Sequence, residues 1–465
     1  MTTTLAPPVR RTAVLVIILI SYFMILLDNS IIFTGLPSIQ AGLGFSSTGL
    51  TWVQDAYTLT FGGLLLLAAR AGDIIGRRRL FIIGLVIFSL ASLLVGVAIT
   101  DWWMIAARAL QGIGAAIVAP ASLSLLTATF PEGRERSRAV ALYAATAGIG
   151  ASLGMVIGGA LTEAISWRAG FFLNLPIGAA MILLALRYLV EQPRTSGRFD
   201  VPGAVFSTLG VGAVILSIIE SSESGWASPL TYGSLGLGAL LLVALVVNER
   251  RAPQPIMPLW LFASRARSGA YAIRFLYLGA MMGFFFFVTQ YLQAVLGWNA
   301  LQAGLGFLPM TVVNFAVAMV VPALNRRVSS FALLGVGLAA TLGGMGWLSL
   351  LRADSPYAIA VFLPMLLIGL GQGLTFAPLT SYGIEGVTPE AAGAASGLLN
   401  TAHQLGSSVG LAILVAIAAA ATRAGNVVDR VQLALTGSTG LLLIALLVAL
   451  VVILPGERQK RGFSV

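Results

Sequence analysis

The chain has 465 residues, of which 58% are hydrophobic and only 9% are charged, with a net charge of +10 and no cysteine. A typical soluble domain has about 25% charged residues, and a chain this apolar has too few polar groups to cover a surface in water. Disulfides and cysteine-ligated zinc are excluded, and His403, the single histidine, excludes a multi-histidine metal site. We therefore expect a protein surrounded by membrane lipids, with no metal, no cofactor and no nucleic-acid partner.

Hydrophobic runs long enough to cross a bilayer recur along nearly the whole chain. A membrane-spanning helix needs roughly 20 mostly apolar residues. The runs that meet this requirement predict fourteen transmembrane helices: 13–36, 50–70, 80–99, 102–129, 138–162, 169–190, 201–220, 231–248, 269–296, 301–323, 331–351, 357–381, 392–421 and 433–455. The first run is too long for a cleaved signal peptide, and it also contains an aspartate.

The basic residues predict which side of the membrane each connection faces. With the N-terminus in the cytoplasm, most of the 27 lysines and arginines fall in cytoplasmic connections and tails, as the positive-inside rule requires. This bias indicates an even number of spans and places both the N and C termini in the cytoplasm. We expect a multi-pass protein of the cell (inner or plasma) membrane.

The first six and the last six spans share a glycine pattern that predicts an internal repeat. The corresponding positions are Gly112, Gly114, Gly150 and Gly154 in the first set, and Gly369, Gly371, Gly406 and Gly410 in the second. Two related bundles are a common plan among transporters. We predict an all-α membrane protein of two pseudo-symmetric six-helix bundles, 1–190 and 269–465, with cytoplasmic linkers and two inserted transmembrane helices in 191–268.

Three ionisable residues inside the spans lie at a similar depth. At 1.5 Å per residue, Asp28, Asp55 and Arg108 each lie ~8–13 Å below the outer boundary. Because an ionised group in a bilayer costs ~2.5–3.5 kcal/mol on insertion scales, we expect them to satisfy one another. Either they form a purely structural ion pair, or they bind protons and a cationic substrate. His403, at mid-depth, is a further candidate for proton coupling, whereas Arg274 should extend its head group to the cytoplasmic surface.

A second polar cluster follows the second span on the cytoplasmic side. It contains Asp73, Gly76, Arg77 and Arg78, and Arg138 begins the fifth span on the same side. Anchoring in the cytoplasm explains the arginines but not the aspartate. We expect Asp73 to accept hydrogen bonds from the amides at a neighbouring helix start, and so to form a latch between the two halves.

Two further groups of residues are candidates for helix packing and for substrate binding. Glycines spaced by four residues permit the close approach of two helix backbones. In the fifth span, Gly150, Gly154, Gly158 and Gly159 predict either a tightly packed helix pair or a gating helix at the interface between the bundles. The residues that we expect to line a substrate cavity are Gln111, Phe284, Phe287, Gln290, Tyr291 and Asn400. For the aromatic residues of this set, packing against lipid is an equally good interpretation.

Taken together and in order, these motifs resemble the 14-helix drug:proton antiporter branch of the major facilitator superfamily. Residues 27–37 resemble its motif LDxTIVNVALP, 69–79 resemble GxLaDRxGRRR, and 108–114 fit RxxQGxG. Residues 150–159 resemble GxxxGPxxGG, and 167–178 fit another pattern of this branch. The sequence departs from the motifs at Phe33, Ala69, Ile74 and Met155, the last in place of a proline that is associated with a kink.

The resemblance implies a monomeric transporter, not an enzyme, that works by alternating access. It implies roles for Asp28 and Arg108 in proton coupling and for Asp73 in the cytoplasmic latch. We expect export of hydrophobic, cationic drugs or metabolites, with protons as the coupling ion. The alternatives are a dedicated exporter of one metabolite, a proton symporter of the same fold and, more remotely, a membrane sensor or enzyme.

Overall fold

The computed structural model describes residues 8–131, 133–192, 194, 198–388, 391–421 and 427–455, and regular structure in these ranges is entirely helical. The helices are α1 (Pro8–Leu43), α2 (Trp52–Ile75), α3 (Arg77–Gly96), α4 (Asp101–Thr129), α5 (Arg134–Ala164), α6 (Trp167–Phe172), α7 (Asn174–Tyr188), α8 (Val201–Ser224), α9 (Pro229–Arg251), α10 (Arg265–Gln290), α11 (Ala300–Gly306), α12 (Leu308–Leu324), α13 (Ser330–Leu348), α14 (Leu363–Gly383), α15 (Ala392–Ala421) and α16 (Val427–Val448). Short π-helical turns extend α10, α14 and α16 at Tyr291–Val295, Ala358–Phe362 and Ala449–Ile453.

Helices occupy all fourteen of the predicted runs. The sixth run is divided into α6 and α7, and the tenth into α11 and α12. Thirteen of the described helical segments are long and apolar enough to cross a membrane, and the described apolar part of α5 is Leu153–Ala164. The predicted all-α, multi-pass membrane fold is confirmed.

The helices pack as two groups with an additional pair. Helices α1 to α7 pack mainly with one another, and so do α10 and α12 to α16, whereas α11 packs chiefly against α5. The inserted helices α8 and α9 pack against each other, and α8 also contacts α2 and α15. The predicted domain boundaries near residues 190 and 268 agree with this grouping and stay a prediction.

The glycines of the proposed repeat make equivalent contacts in the two groups. A Cβ on Gly154 of α5 would lie 2.8 Å from the Leu27 carbonyl oxygen of α1, and one on Gly406 of α15 would lie 2.6 Å from Phe275 Cα of α10. Since side chains would not fit at either contact, glycine permits the backbones to meet. In the same way Gly112 and Gly114 of α4 contact α2 and α3, while Gly369 and Gly371 of α14 contact α12 and α13. The fold therefore contains the internal repeat.

The two groups meet along two pairs of helices. On one side α2 packs along α15, and Thr401 Oγ1 donates to the Gly62 carbonyl at 3.3 Å. On the other side α5 packs against α11 near their outer ends. At the outer end of α1, Gln293 Nε2 donates to the Thr34 carbonyl at 3.1 Å, so these contacts close the outer side between the halves.

Candidate functional site

Asp28 lies at the centre of a buried hydrogen-bond network contributed by four helices. Arg108 of α4 donates from Nη1 to Asp28 Oδ2 at 2.8 Å, which makes an ion pair fully shielded from solvent. Gln111 of α4 and Asn174 of α7 donate to Asp28 Oδ1 at 2.8 and 2.7 Å. The Ser92 hydroxyl of α3 accepts from both of these amides at 2.8 and 3.2 Å. The expected pairing of Asp28 with Arg108 is therefore present, and hydrogen bonds between ionised groups at these lengths are strong ones.

Arg108 is enclosed on all sides. Its Nε donates to the Val53 carbonyl at 2.8 Å, and Nη1 also donates to Gln111 Oε1 at 2.6 Å. The guanidinium carbon lies 4.3 Å from the centre of the Tyr57 ring and 6.0 Å from that of Phe171. A guanidinium held by carbonyl, carboxylate and aromatic partners serves Asp28 as a fixed counter-charge.

Asp55 does not join this network. Its side chain is fully buried, and neither carboxylate oxygen has a hydrogen-bond partner among the residues that the structure describes. Asp55 lies beside α15 of the other half, where the Ser408 hydroxyl donates to its main-chain carbonyl at 3.3 Å and contacts the Thr58 hydroxyl. The expectation that both carboxylates and Arg108 would satisfy one another is wrong for Asp55, because α2 places this residue at the interface between the halves.

His403 and Arg274 lie together in the C-terminal half. His403 of α15 is half-buried and interacts electrostatically with Arg274 of α10. Arg274 is only 9% exposed, and its guanidinium carbon lies 4.4 Å from the centre of the Phe376 ring. The expectation that Arg274 extends to the cytoplasmic surface is therefore wrong, since its head group is held in the interior.

The cytoplasmic turn between α2 and α3 is organised around two carboxylates. Arg77 donates to Asp73 Oδ1 from Nη2 at 3.0 Å and from Nε at 3.2 Å. The acceptor for the helix start is Glu191, whose carboxylate oxygens accept from the second and third backbone amides of α3 at 3.0 and 3.2 Å. Gly76, at φ +118°, permits this approach, because a Cβ there would lie 2.7 Å from the Glu191 carboxyl carbon. Glu191 therefore caps α3, and the expectation that Asp73 caps a neighbouring helix stays a prediction.

Among the described residues, Arg77, Arg78 and Arg79 make their hydrogen bonds within the N-terminal half and with Glu191, which follows it. Arg78 Nη2 donates to the Leu186 carbonyl at 2.6 Å. Arg138 is exposed near the start of α5. A latch that joins the two halves through Asp73 and Arg138 stays a prediction.

The glycines of α5 make two contact surfaces: Gly150, Gly154 and Gly158 face α1, and Gly159 faces α11. A Cβ on Gly158 would lie 2.7 Å from Ile31 Cα, and one on Gly159 would lie 2.8 Å from Leu301 Cα. The expected close packing of this helix is present, and α5 runs continuously through Met155. One glycine face therefore holds the N-terminal half together, while Gly159 meets the other half.

Three of the aromatic residues expected in a cavity lie in packed interior. Phe284, Phe287 and Tyr291 are at most 1% exposed and belong to a large apolar core to which both halves contribute. The Tyr291 hydroxyl donates to the Arg352 carbonyl at 2.7 Å. These side chains support the fold in this conformation, and their contact with a substrate stays a prediction.

The other cavity candidates are dispersed. Gln111 belongs to the Asp28 network, Gln290 is half-buried, and Asn400 is exposed. Phe285, which belongs to the same predicted aromatic run as Phe284 and Phe287, is half-buried and reaches the opposite half, with its ring centre 5.6 Å from that of Phe33. The structure thus does not bring the predicted cavity residues together into one surface.

A helical bundle of this kind, with two related halves, a buried charge network and an unpaired carboxylate at the interface, defines a multi-pass membrane transporter. The sequence profile of the Major Facilitator Superfamily matches residues 18–411, and the chain belongs to that superfamily.

Comparisons with individual proteins agree with this assignment. The chain is 40% identical to a cephamycin export protein of Amycolatopsis lactamdurans, covering 88% of this chain and 86% of that protein. It is 38% identical to a puromycin resistance protein of Streptomyces alboniger, covering 90% and 84%. Among solved structures, a bacterial homologue of the human lysosomal transporter Spinster, inward-facing and unoccupied, matches with a TM-score of 0.69 at 16% identity, covering 96% and 98%.

Proposed function

We propose that this protein exports amphipathic antibiotics or related drugs in exchange for protons, by alternating access between its two halves. The names of the two relatives, one an export protein and the other a resistance protein, support export of antibiotics. The observation that carries the proton coupling is the buried carboxylate of Asp55, unpaired among the described residues, at the interface of α2 and α15.

A proton is the cation that fits at Asp55. An ionised carboxylate without a partner in an apolar interior is costly, and binding a proton removes its charge. The surrounding interface is tightly packed: the hydroxyls of Thr58 and Ser408 touch, and a Cβ on Gly62 would lie 3.3 Å from the Leu405 backbone nitrogen. An organic cation therefore has no room there, whereas a proton needs none.

This placement couples the proton to the movement of the halves. With the outer side closed, as in this structure, Asp55 lies out of solvent between α2 and α15. Loss of the proton toward the cytoplasm leaves a buried charge, which favours separation of the two helices and exposure of Asp55 to the outside. Binding of a proton from the outside then favours closure, so the free energy of the proton gradient biases the two conformations.

Asp28 contributes a different element of the mechanism. With three donors on its two oxygens, it fixes the relative positions of α1, α4 and α7. Neither carboxylate offers an open site for the cationic substrate that the sequence suggests. Asp28 already accepts three hydrogen bonds, and Asp55 is enclosed in the tight interface between α2 and α15. The protein works as a monomer within the lipid bilayer, since both sides of the moving interface belong to one chain.

The test uses cells first and purified protein second. Growth of a drug-sensitive host that expresses the wild type or Asp55→Asn is compared on a panel that contains puromycin and a cephamycin. A compound against which only the wild type protects is then added to proteoliposomes with an acidic lumen that contains a pH-sensitive dye. We expect the lumen to become more alkaline with the wild type and to stay unchanged with Asp55→Asn.

Two results would overturn the proposal. Substrate that accumulates while the pH of the lumen stays constant removes proton coupling. Substrate entry accompanied by proton entry indicates symport, the rival mechanism in the same fold. A protein that protects against one compound of the panel alone would be a dedicated exporter, which leaves the coupling mechanism in place.

A further inference from the structure

Arg274 is a buried cation without an acidic partner among the residues that the structure describes. It is 9% exposed, and neither Nε nor Nη1 has a hydrogen-bond partner within the described ranges. No carboxylate described in the structure lies within ion-pair distance of it. The buried Arg108 pairs with Asp28, and the buried Arg267 donates to three main-chain carbonyls. An unpaired guanidinium in a membrane interior is costly. Its presence therefore indicates a negatively charged ligand that binds to Arg274 and is later released.

The walls around Arg274 are aromatic. The guanidinium lies over the ring of Phe376, which contacts Tyr277 edge-on with 5.7 Å between ring centres. Tyr277 is held in turn by a hydrogen bond of 3.1 Å between its hydroxyl and that of Thr341. One face of the guanidinium is thus covered by a fixed ring, and nitrogen atoms along its edge lack acceptors.

The opposite half completes this surface. Tyr22 of α1 lies near Arg274 and stacks on Tyr143 of α5, with ring centres 4.1 Å apart and planes 11° apart. Tyr22 and Tyr143 are both half-buried, and His403 of α15 also lies near Arg274. Arg274 therefore lies where the two halves face each other, with a pair of stacked rings from the N-terminal half beside it.

The expected sign of the substrate charge changes as a result. Asp28 and Asp55 were the reasons to expect a cation, but one is saturated by three donors and the other is enclosed in a tight interface. Arg274 is a buried positive charge without an acidic partner among the described residues, and it has free hydrogen-bonding groups and aromatic neighbours. Guanidinium nitrogens in a plane match the oxygens of a carboxylate or sulfonate.

We propose that Arg274 binds the acidic group of an amphipathic organic anion, whose ring system packs against Tyr22, Tyr143 and Phe376. The proposal rests on the proposed transport function and specifies the charge class of its substrate. The acidic group supplies the missing counter-charge, and the flat aromatic walls select an organic anion over a small, strongly hydrated one.

The test measures binding of two dyes that share one skeleton. 8-Anilinonaphthalene-1-sulfonate carries a sulfonate, and N-phenyl-1-naphthylamine lacks it. Equilibrium dialysis against the protein in lipid nanodiscs gives both affinities, with empty nanodiscs subtracted and no proton gradient present. The variants are Arg274→Gln, Arg274→Lys and, as a control that also removes one positive charge, Arg430→Gln on α16, whose Nε likewise lacks a partner among the described residues.

We expect Arg274→Gln to weaken binding of the anionic dye at least tenfold and to change binding of the neutral dye less than twofold. Arg274→Lys should retain part of the affinity for the anion, because it keeps the charge but loses the planar geometry. Arg430→Gln should bind both dyes as the wild type does.

Three results would overturn the proposal: no saturable binding of the anion above that of the neutral dye in the wild type, equal losses for both dyes in Arg274→Gln, or no loss for either. Because binding is measured without a gradient, failure here is separate from failure of proton coupling. An anion that binds through Arg274 but moves without protons would refute the coupling alone.

Discussion

Replacing each buried aspartate by asparagine should separate structural from coupling roles. Asp28→Asn removes a carboxylate whose two oxygens accept three hydrogen bonds, from Arg108, Gln111 and Asn174. Asparagine offers a single oxygen, so its NH2 group must face either the guanidinium or the two side-chain amides. Asp55→Asn removes a carboxylate whose oxygens accept no hydrogen bond from any described residue.

The structure sets the expected difference in stability between Asp28→Asn and Asp55→Asn. Breaking a buried ion pair by removing one partner costs about 3–5 kcal/mol, because the remaining charge is left uncompensated. Asp28→Asn leaves Arg108, which is 0% exposed, in that situation. Asp55→Asn breaks no such pair, and we expect its free energy of unfolding to stay within about 1 kcal/mol of the wild type.

The assay follows reversible unfolding in mixed micelles by circular dichroism while the fraction of denaturing detergent is raised. A double variant, Asp28→Asn with Arg108→Met, provides the control. Since it removes the stranded charge as well, its loss of stability should be smaller than the sum of the two single losses. Both aspartate variants should also lose proton-coupled transport.

Equal destabilisation by Asp28→Asn and Asp55→Asn would refute this reasoning. It would mean that Asp55 has a stabilising partner as strong as Arg108 in the membrane-embedded protein. Additive losses in the double variant would equally show that Asp28 and Arg108 do not stabilise each other.

Three further changes test the helix contacts. Gly158→Ala should destabilise the fold by about 1–3 kcal/mol, because the added methyl group would overpack against α1. The control Gly233→Ala, where an added Cβ meets no atom within 4 Å, should be neutral or stabilising. Similar losses of stability in both variants would count against the contact between α5 and α1. Glu191→Ala should cost about 0.5–2 kcal/mol by removing the acceptor at the start of α3, which thermal unfolding would detect; an unchanged midpoint would argue against capping. Cysteines introduced at Thr34 and Gln293 of this cysteine-free chain, which meet across the outer side, should be joined by a short, reducible bis-methanethiosulfonate cross-linker and should stop transport until the cross-link is reduced; transport that continues in the cross-linked protein would show that the outer contact need not open.

The membrane fold could be predicted from the sequence because lipid imposes a simple requirement. Every span must be a hydrophobic helix of about the same length, so the fourteen runs are visible without any knowledge of tertiary contacts. The repeat was equally visible, since glycines at corresponding positions mark where backbones touch. Such contacts depend on the absence of a side chain, which a sequence shows directly.

The candidate site was predictable in part. Asp28 and Arg108 were found because ionised residues stand out in apolar spans, and Asn174 lies in a motif that resembled the family. Depth along a helix did not show in which direction each side chain points, so Asp55 was wrongly grouped with them. A rotation of 100° per residue decides that question, and it depends on helix packing.

The other differences between prediction and structure also arise from helix packing or from the lack of a distinctive sequence signal. Ser92 and Glu191 gave no signal, because a serine in an apolar span and a glutamate in a polar linker are both common. Arg274 was assigned to the surface from its position near the end of a span, yet the packing of α10 against α14 and α15 holds it inside. Long-range packing decides whether a terminal arginine reaches the membrane surface.

The contact of α5 with α11 has a consequence for the work needed to open the outer side. Gly159 and Gly304 bring main chain against main chain, with a Cβ on Gly159 only 2.8 Å from the Ala300 carbonyl carbon and one on Gly304 2.9 Å from that of Met155. When two surfaces of interlocked leucines part, each Å² of apolar area exposed costs about 25 cal/mol. Where peptide groups part instead, water can hydrate the surfaces that appear. A seam of this composition can be tight when closed and still need little free energy to separate, which suits a transporter that must open it in every cycle.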